Sequence, residues 1–278
     1  MSNLLQNVAL VSQTNAVPFS EISTVAAALA KQASRDFGPI WGVNSTVQAF
    51  DALEKVPVDY WPVIILDHLD DPTAGGYHQT KDGEPFSVVL ASEFPLAASH
   101  ETLEMLADPF GNRKIAGSPP VGAPAPVSGF DRVTYLVEVC DPCEADQFAY
   151  EVNGVKVSDF ITPHYYDPTV AAGVRYSFSG AIKKPHEVLE GGYVSFGNPV
   201  NGHWYQIVVE SGVENLRDLG ALNLSGRSVR EAIDDLDRKA RNKQGKKKPA
   251  TRAMAAAAGY EASSKGRAKA YREAIEKL

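Results

Sequence analysis

Between Val8 and Pro109 the apolar residues change period in an order that narrows the architectures open to the chain. Val8–Val11 is short and apolar and reads as a strand. Ser20 can cap the helix that follows, with Glu21 in its first turn, and Ile22–Phe37 repeats apolar residues at helical spacing until Gly38-Pro39 stops it. Ser45–Phe50 is rich in β-formers, and Trp61–Leu66 holds the run Val63-Ile64-Ile65-Leu66, which suits a buried strand. Asp67–Gly76 is turn material. Gly75-Gly76-Tyr77-His78 leads to a second turn signal, Lys81-Asp82-Gly83-Glu84, and then to the apolar strand Phe86–Leu90. Pro95 opens a helix and Asp108-Pro109 closes it, because the residue before proline avoids the helical region. The order is β-α-β-β-β-α.

The last helix carries Ser99-His100-Glu101-Thr102-Leu103-Glu104, then Asp108. His100 and Glu104 fall one turn apart on one face, and Asp108 one turn further. An imidazole and a carboxylate so spaced can grip one metal ion, and Glu101 beside them is placed to take a proton from metal-bound water. This is the H-E-x-x-H helix of zinc proteases with its second histidine replaced by glutamate. The same stretch also reads as a plain amphipathic helix, with Leu96, Leu103, Met105 and Leu106 toward the core and His100 and Glu104 in solvent.

Downstream, Gly111–Gly129 is a loop dense in proline and glycine, of a length that covers or borders a site. Arg132–Val139 resumes the β pattern. Glu138 stands at its end and Asp141 in the following turn, where a third ligand is wanted. Tyr150–Val157 reads as a hairpin around Asn153-Gly154, and short β segments follow at Asp159–Tyr166, Val174–Phe178, Tyr193–Phe196 and His203–Val209. Leu219–Leu224 closes the compact part. Ser228, with Glu231 three residues on, forms a capping box for a helix over Val229–Ala240.

The pair S-H-E-x-x-E-x-x-x-D-P and E-V-x-D-x-C, carried here by Ser99, His100, Glu101, Glu104, Asp108, Pro109 and then Glu138, Val139, Asp141, Cys143, resembles a set of zincin-like proteins. The plant phosphate-induced (exordium-type) proteins carry a similar pair. The resemblance covers about residues 60–165 and implies a zincin-like metal site. The element order is also that of the N-terminal half of zincin-type proteases, where an edge strand before the metal helix can align a peptide substrate. The fold expected is therefore α+β and zincin-like: a mixed sheet with a metal-binding helix, a mostly β second half, and a helical basic tail. Residues 1–225 would form the domain and residues 226–278 the tail.

The roles follow from chemistry. His100 and Glu104 would bind the ion, with Glu138 or Asp141 completing the set, and Glu101 would be the general base. Tyr77, His78, His164 and Tyr165 are candidates for stabilising an oxyanion by residue type alone; His68, His186 and His203 read as surface or packing residues. Carboxylates outnumbering imidazole make a hard, anionic site, for which zinc is the first choice and calcium or manganese the alternatives. The function expected is hydrolysis of peptide bonds in a peptide or protein substrate. The alternative is an inactive, metal-stabilised structural or interaction protein.

No run of about 18 apolar residues occurs, so no membrane span is expected. The N-terminus lacks the basic-then-apolar pattern of a secretory signal, so a cytoplasmic site is the expectation. Cys140 and Cys143 supply at most half of a four-cysteine zinc site and read first as reduced thiols, with a partial metal or redox role as the alternative. The net charge of −7 hides an asymmetry, because residues 238–278 hold 13 Lys and Arg against 3 Asp and Glu. That basic tail could meet an acidic partner or assembly, or the acidic body itself. Nucleic acid is disfavoured, since the body would repel phosphate. Ala253–Leu278 has few large apolar residues to anchor it and is expected to be mobile or partner-dependent.

Overall fold

The computed structural model describes residues 5–69, 74–120, 132–243 and 264–276. In chain order the elements are β1 (Leu5–Ser12), α1 (Phe19–Lys31), the single turn α2 (Gly38–Trp41), β2 (Asn44–Phe50), β3 (Tyr60–Leu66), β4 (Gly76–Lys81), β5 (Glu84–Leu90) and α3 (Leu96–Ala107). There follow β6 (Lys114–Gly117), β7 (Val133–Leu136), β8 (Tyr150–Val152), β9 (Val155–Val157), β10 (Tyr193–Gly197), β11 (His203–Glu210) and β12 (Val213–Ala221). Two helices close the series, α4 (Val229–Lys243) and α5 (Ser264–Ile275). The chain is α+β, with a mixed sheet first and a mostly β second half. It divides into two compact units, the first made of residues 1–109, 151–157 and 249–278, the second of 110–150 and 158–248.

The first unit is built on a five-stranded sheet of order β2-β1-β3-β5-β4. Its pairs are parallel except β4 with β5, so β4 is an antiparallel edge strand. Val8–Val11 and Val63–Ile65 are wholly buried, as the unbroken apolar runs of strands covered on both faces require. Alternation sorts their side chains. Ala9, Val11, Ile64, Leu66, Phe86 and Val88 share one face with Leu53 and Val56, and α5 closes it with Ala268 and Tyr271. Helix α3 lies against the opposite face, where the Ser87 hydroxyl donates to the Met105 sulfur at 3.5 Å.

Several expectations are corrected here. Ser20 does not cap α1; Pro18 holds that position without a side-chain bond, and the Ser20 carbonyl accepts from Thr24 instead. Gly38-Pro39 does not stop the helix. It passes through a π-type stretch, Gln32–Phe37, into α2 and ends at Gly42, whose φ of 70° is the left-handed conformation that closes helices. Strand β4 lay in what read as a turn approach. It pairs with β5 through a two-residue turn, Asp82-Gly83, with φ of 52° and 84°, the turn whose twist matches the strands it joins. The segment expected to be mobile contributes α5. The Tyr271 ring sits 5.0 Å from that of Phe86, Arg272 pairs with Glu54, and its Nε donates to Gln13 Oε1 at 3.1 Å. One aromatic set on an apolar sheet face anchors the helix where a long apolar stripe was sought.

The second unit carries an antiparallel sheet of order β12-β11-β10-β7-β6. Leu136, Trp204 and Leu219 of this sheet pack with Val229 and Ile233 of α4. The capping box forms as its spacing requires: the Ser228 amide donates to Glu231 Oε2 at 2.8 Å and the Glu231 amide to Ser228 Oγ at 3.1 Å. Within Gly111–Gly129, Lys114–Gly117 is strand rather than loop; residues 121–131 lie outside the described residues, as do Asp70-Asp71 and Lys246–Lys248. Asp159–Tyr166 and Val174–Phe178 are not strands. They share one bridge, Ile161 with Ser177, and Pro163–Tyr166 turns as a 3-10 helix. The Asp159 carboxylate accepts from the Ser179 amide and hydroxyl at 2.8 and 2.6 Å, supplying by side chain what a ladder would supply by backbone. Among the described residues no helix is long and apolar enough to cross a membrane.

Candidate metal centre

The site is built on α3, bounded by Pro95 and Asp108 as the sequence indicates. From Ala98 to Ala107 every residue except His100 is buried. The helix is thus not a two-sided surface helix with His100 and Glu104 in water: the Glu104 side chain is fully buried and that of His100 is 13% exposed. Buried carboxylates are costly unless they meet partners, and those of α3 do. His100 Nε2 lies 3.2 Å from Glu104 Oε1. Ser99, first residue of the motif, donates its hydroxyl to Gln32 Oε1 at 2.9 Å and so ties α3 to the π-type stretch.

Strand β4 supplies the residue that the motif did not reveal. His78 stands opposite Ser87 and Gly76 opposite Val89, so both lie on the face toward α3 while Tyr77 packs on the other. His78 is buried, and its Nδ1 is 3.5 Å from Glu101 Oε2 and 3.8 Å from Glu104 Oε2. One ligand atom from each of His78, Glu101 and Glu104 can be chosen so that all three lie within 4.8 Å of one another. The approach is close because Gly76 has no side chain; a Cβ there would stand 2.9 Å from Glu101 Cγ. Asp108 ends the helix, donates its amide to the Glu104 carbonyl at 2.7 Å, and places its own carbonyl 3.0 Å from His78 Nε2.

The His100–Glu104 separation of 3.2 Å is that of an imidazole–carboxylate contact, and it is close to the about 3.3 Å between two ligands at about 2.0–2.1 Å from a tetrahedral centre. The other sequence-derived ligands belong to the second unit. Glu138 lies just beyond β7 and forms an ion pair with Arg230 at 3.2 Å, both side chains buried. Asp141 is buried and opens the turn Asp141–Cys143, against which Gly192 packs too closely for any side chain. Cys140 and Cys143 are buried in the same turn and are not joined by a disulfide.

The oxyanion candidates resolve individually. His78 faces the carboxylates of α3, not solvent. His164 is exposed and paired with Asp167 at 2.8 Å. Tyr165 is wholly buried, which pushes its hydroxyl well above the usual phenol range and keeps it protonated. His68 is exposed, His203 pairs with Asp218 at 3.1 Å, and His186 is buried with its ring stacked on Tyr135. No family model, curated protein or solved structure matches this chain.

Proposed function

We propose that the chain is a zincin-like, zinc-dependent hydrolase of peptide bonds, with His100 and Glu104 as ligands on α3 and Glu101 as general base. The single observation that carries this reading is the 3.2 Å pairing of a part-exposed imidazole with a fully buried carboxylate, one turn apart, on a helix that follows the β4–β5 hairpin, whose first strand is the antiparallel edge of the sheet. Zinc held there would supply a water acidified toward neutral pH. Glu101, one residue on from His100, would be the carboxylate that accepts a proton from the attacking water and returns it to the leaving amine. The edge of β4 offers backbone donors and acceptors to an extended peptide, which would add to the sheet as a further strand.

Burial favours a second reading, in which the ion is structural. Glu101 is 3% exposed and Glu104 not at all, as in closed sites whose metal serves stability. In that case the basic stretch 238–278 would dock the protein to an acidic partner. Elemental analysis of zinc-supplemented protein, paired with cleavage of a broad peptide pool, separates the readings. The hydrolase binds one zinc per chain, and Glu101→Gln keeps the zinc while losing roughly 100-fold or more in rate. Zinc without cleavage by the unaltered protein selects the structural reading. Absence of stoichiometric metal refutes both.

A further inference from the structure

The ring of His78 has a fixed direction. The Asp108 carbonyl can only accept, so at 3.0 Å His78 Nε2 carries a hydrogen, and Nδ1 is the atom turned to α3. Its neighbours there are Glu101 Oε2 at 3.5 Å and Glu104 Oε2 at 3.8 Å. The three side chains are at most 4% exposed, and both Oε2 atoms are shut off from water. A hydrogen shared between two of these atoms would draw them to about 2.7–3.2 Å. The spacing is longer than that. It is close to the spacing of ligands around one ion, since two atoms at about 2.0–2.2 Å from a tetrahedral centre stand about 3.3–3.6 Å apart; 3.8 Å asks for a slightly wider angle. A metal-bound imidazole commonly gives its other ring N–H to a backbone carbonyl, as His78 does to Asp108. Gly76 leaves the room for Glu101 to come this close.

We infer that His78 Nδ1, Glu101 Oε2 and Glu104 Oε2 form a divalent-cation site between β4 and α3, inward of the His100–Glu104 pair. One imidazole and two carboxylates suit zinc or manganese. The site goes beyond the hydrolase reading because it uses the other oxygen of Glu104: Oε1 faces His100 at 3.2 Å, and Oε2 faces His78. An ion here offsets the repulsion between two inward-turned carboxylates three residues apart at low dielectric, and it fastens an edge strand to the helix. It also engages Glu101, so a filled inner site and proton transfer by Glu101 exclude each other.

The test is calorimetric titration of the metal-free full chain with zinc chloride and, separately, manganese chloride. It compares the unaltered protein with His78→Gln and His100→Gln. One ion per chain should survive His100→Gln. In His78→Gln that ion should bind more than about 100-fold more weakly, because partners that merely orient a ligand are already worth about 10–100-fold. Ion binding that needs His78 but comes without peptide cleavage upholds the inner site and refutes the hydrolase reading. Undiminished affinity in His78→Gln, with binding lost in His100→Gln, overturns the inner site and leaves the hydrolase reading in place. A chain that takes up neither ion overturns it as well. Ring nitrogen-15 spectra of the unaltered protein decide where His78→Gln does not fold. Saturating zinc should move the Nδ1 resonance of His78 and leave the hydrogen on Nε2; an unmoved Nδ1 overturns the assignment.

Discussion

Removing the Tyr271 ring should release α5 from the first sheet without dissolving the sheet. Tyr271 is 4% exposed, packs on Phe86 at 5.0 Å, and shares a cluster with Val11, Ile64, Leu66 and Val88. A buried tyrosine removes about 150 Å² or more from water, worth roughly 4 kcal/mol at about 25 cal/mol per Å². Extended-chain reference areas overstate burial, which brings Tyr271→Ala to about 3 kcal/mol. A free 12-residue helix is marginal in water, so α5 unfolds once undocked and the loss is local. At about 1.4 kcal/mol per tenfold, amide protection over residues 264–276 should drop roughly 100-fold. Hydrogen exchange read by mass spectrometry measures this, with Val8–Val11 and Val63–Ile65 as internal references. Tyr271→Phe should stay within about 1.5 kcal/mol of the unaltered protein. Unchanged protection in α5, or a loss spread equally over β1 and β3, would refute the docking argument.

Two further outcomes concern the second unit. Arg230→Met removes the guanidinium 3.2 Å from the buried Glu138 and should cost about 3 kcal/mol in denaturant unfolding, with most of it regained in the double variant Glu138→Leu/Arg230→Met; equal cost in single and double variants sinks the idea. Burial lowers the His186 pKa from 6.5 to about 4. The unfolded chain therefore takes up this proton first, so the stabilisation is complete above about pH 6.5 and is lost as pH falls toward 4, by up to about 3 kcal/mol. His186→Phe, which keeps the ring against Tyr135, should flatten that slope in unfolding curves between pH 4 and 7.

The legible parts of the fold are those where the signal is dense and local. Val63-Ile64-Ile65-Leu66 can only be a buried strand or a buried helix turn, and flanking turns decide for the strand; prolines mark both ends of α3. Strand β4 is different. Gly76-Tyr77-His78-Gln79-Thr80-Lys81 is an edge strand whose inward positions hold a glycine and a histidine, so no apolar alternation betrays it. The available signal was Asp82-Gly83: counting back from that turn sets His78 opposite Ser87 and Gly76 opposite Val89. The ion pair of Glu138 had no local signal at all, since Arg230 arrives from a helix far along the chain. Strand β12 carries little signal because most of its residues are exposed and its apolar residues do not alternate; pairing with β11 holds it in place.

The first unit is sewn from three stretches, and the last of them is translated after the whole of the second unit. At about 5–20 residues per second, β5 precedes Tyr271 by roughly 10–40 s. For that interval Ala9, Val11, Ile64, Leu66, Phe86 and Val88 form an apolar face still awaiting its cover. Until α5 is made, that sheet face has no cover from this chain's last stretch, and apolar surface exposed in this way during synthesis is prone to aggregate. The residue that ends this exposure is Tyr271, one of the few large apolar side chains of that last stretch.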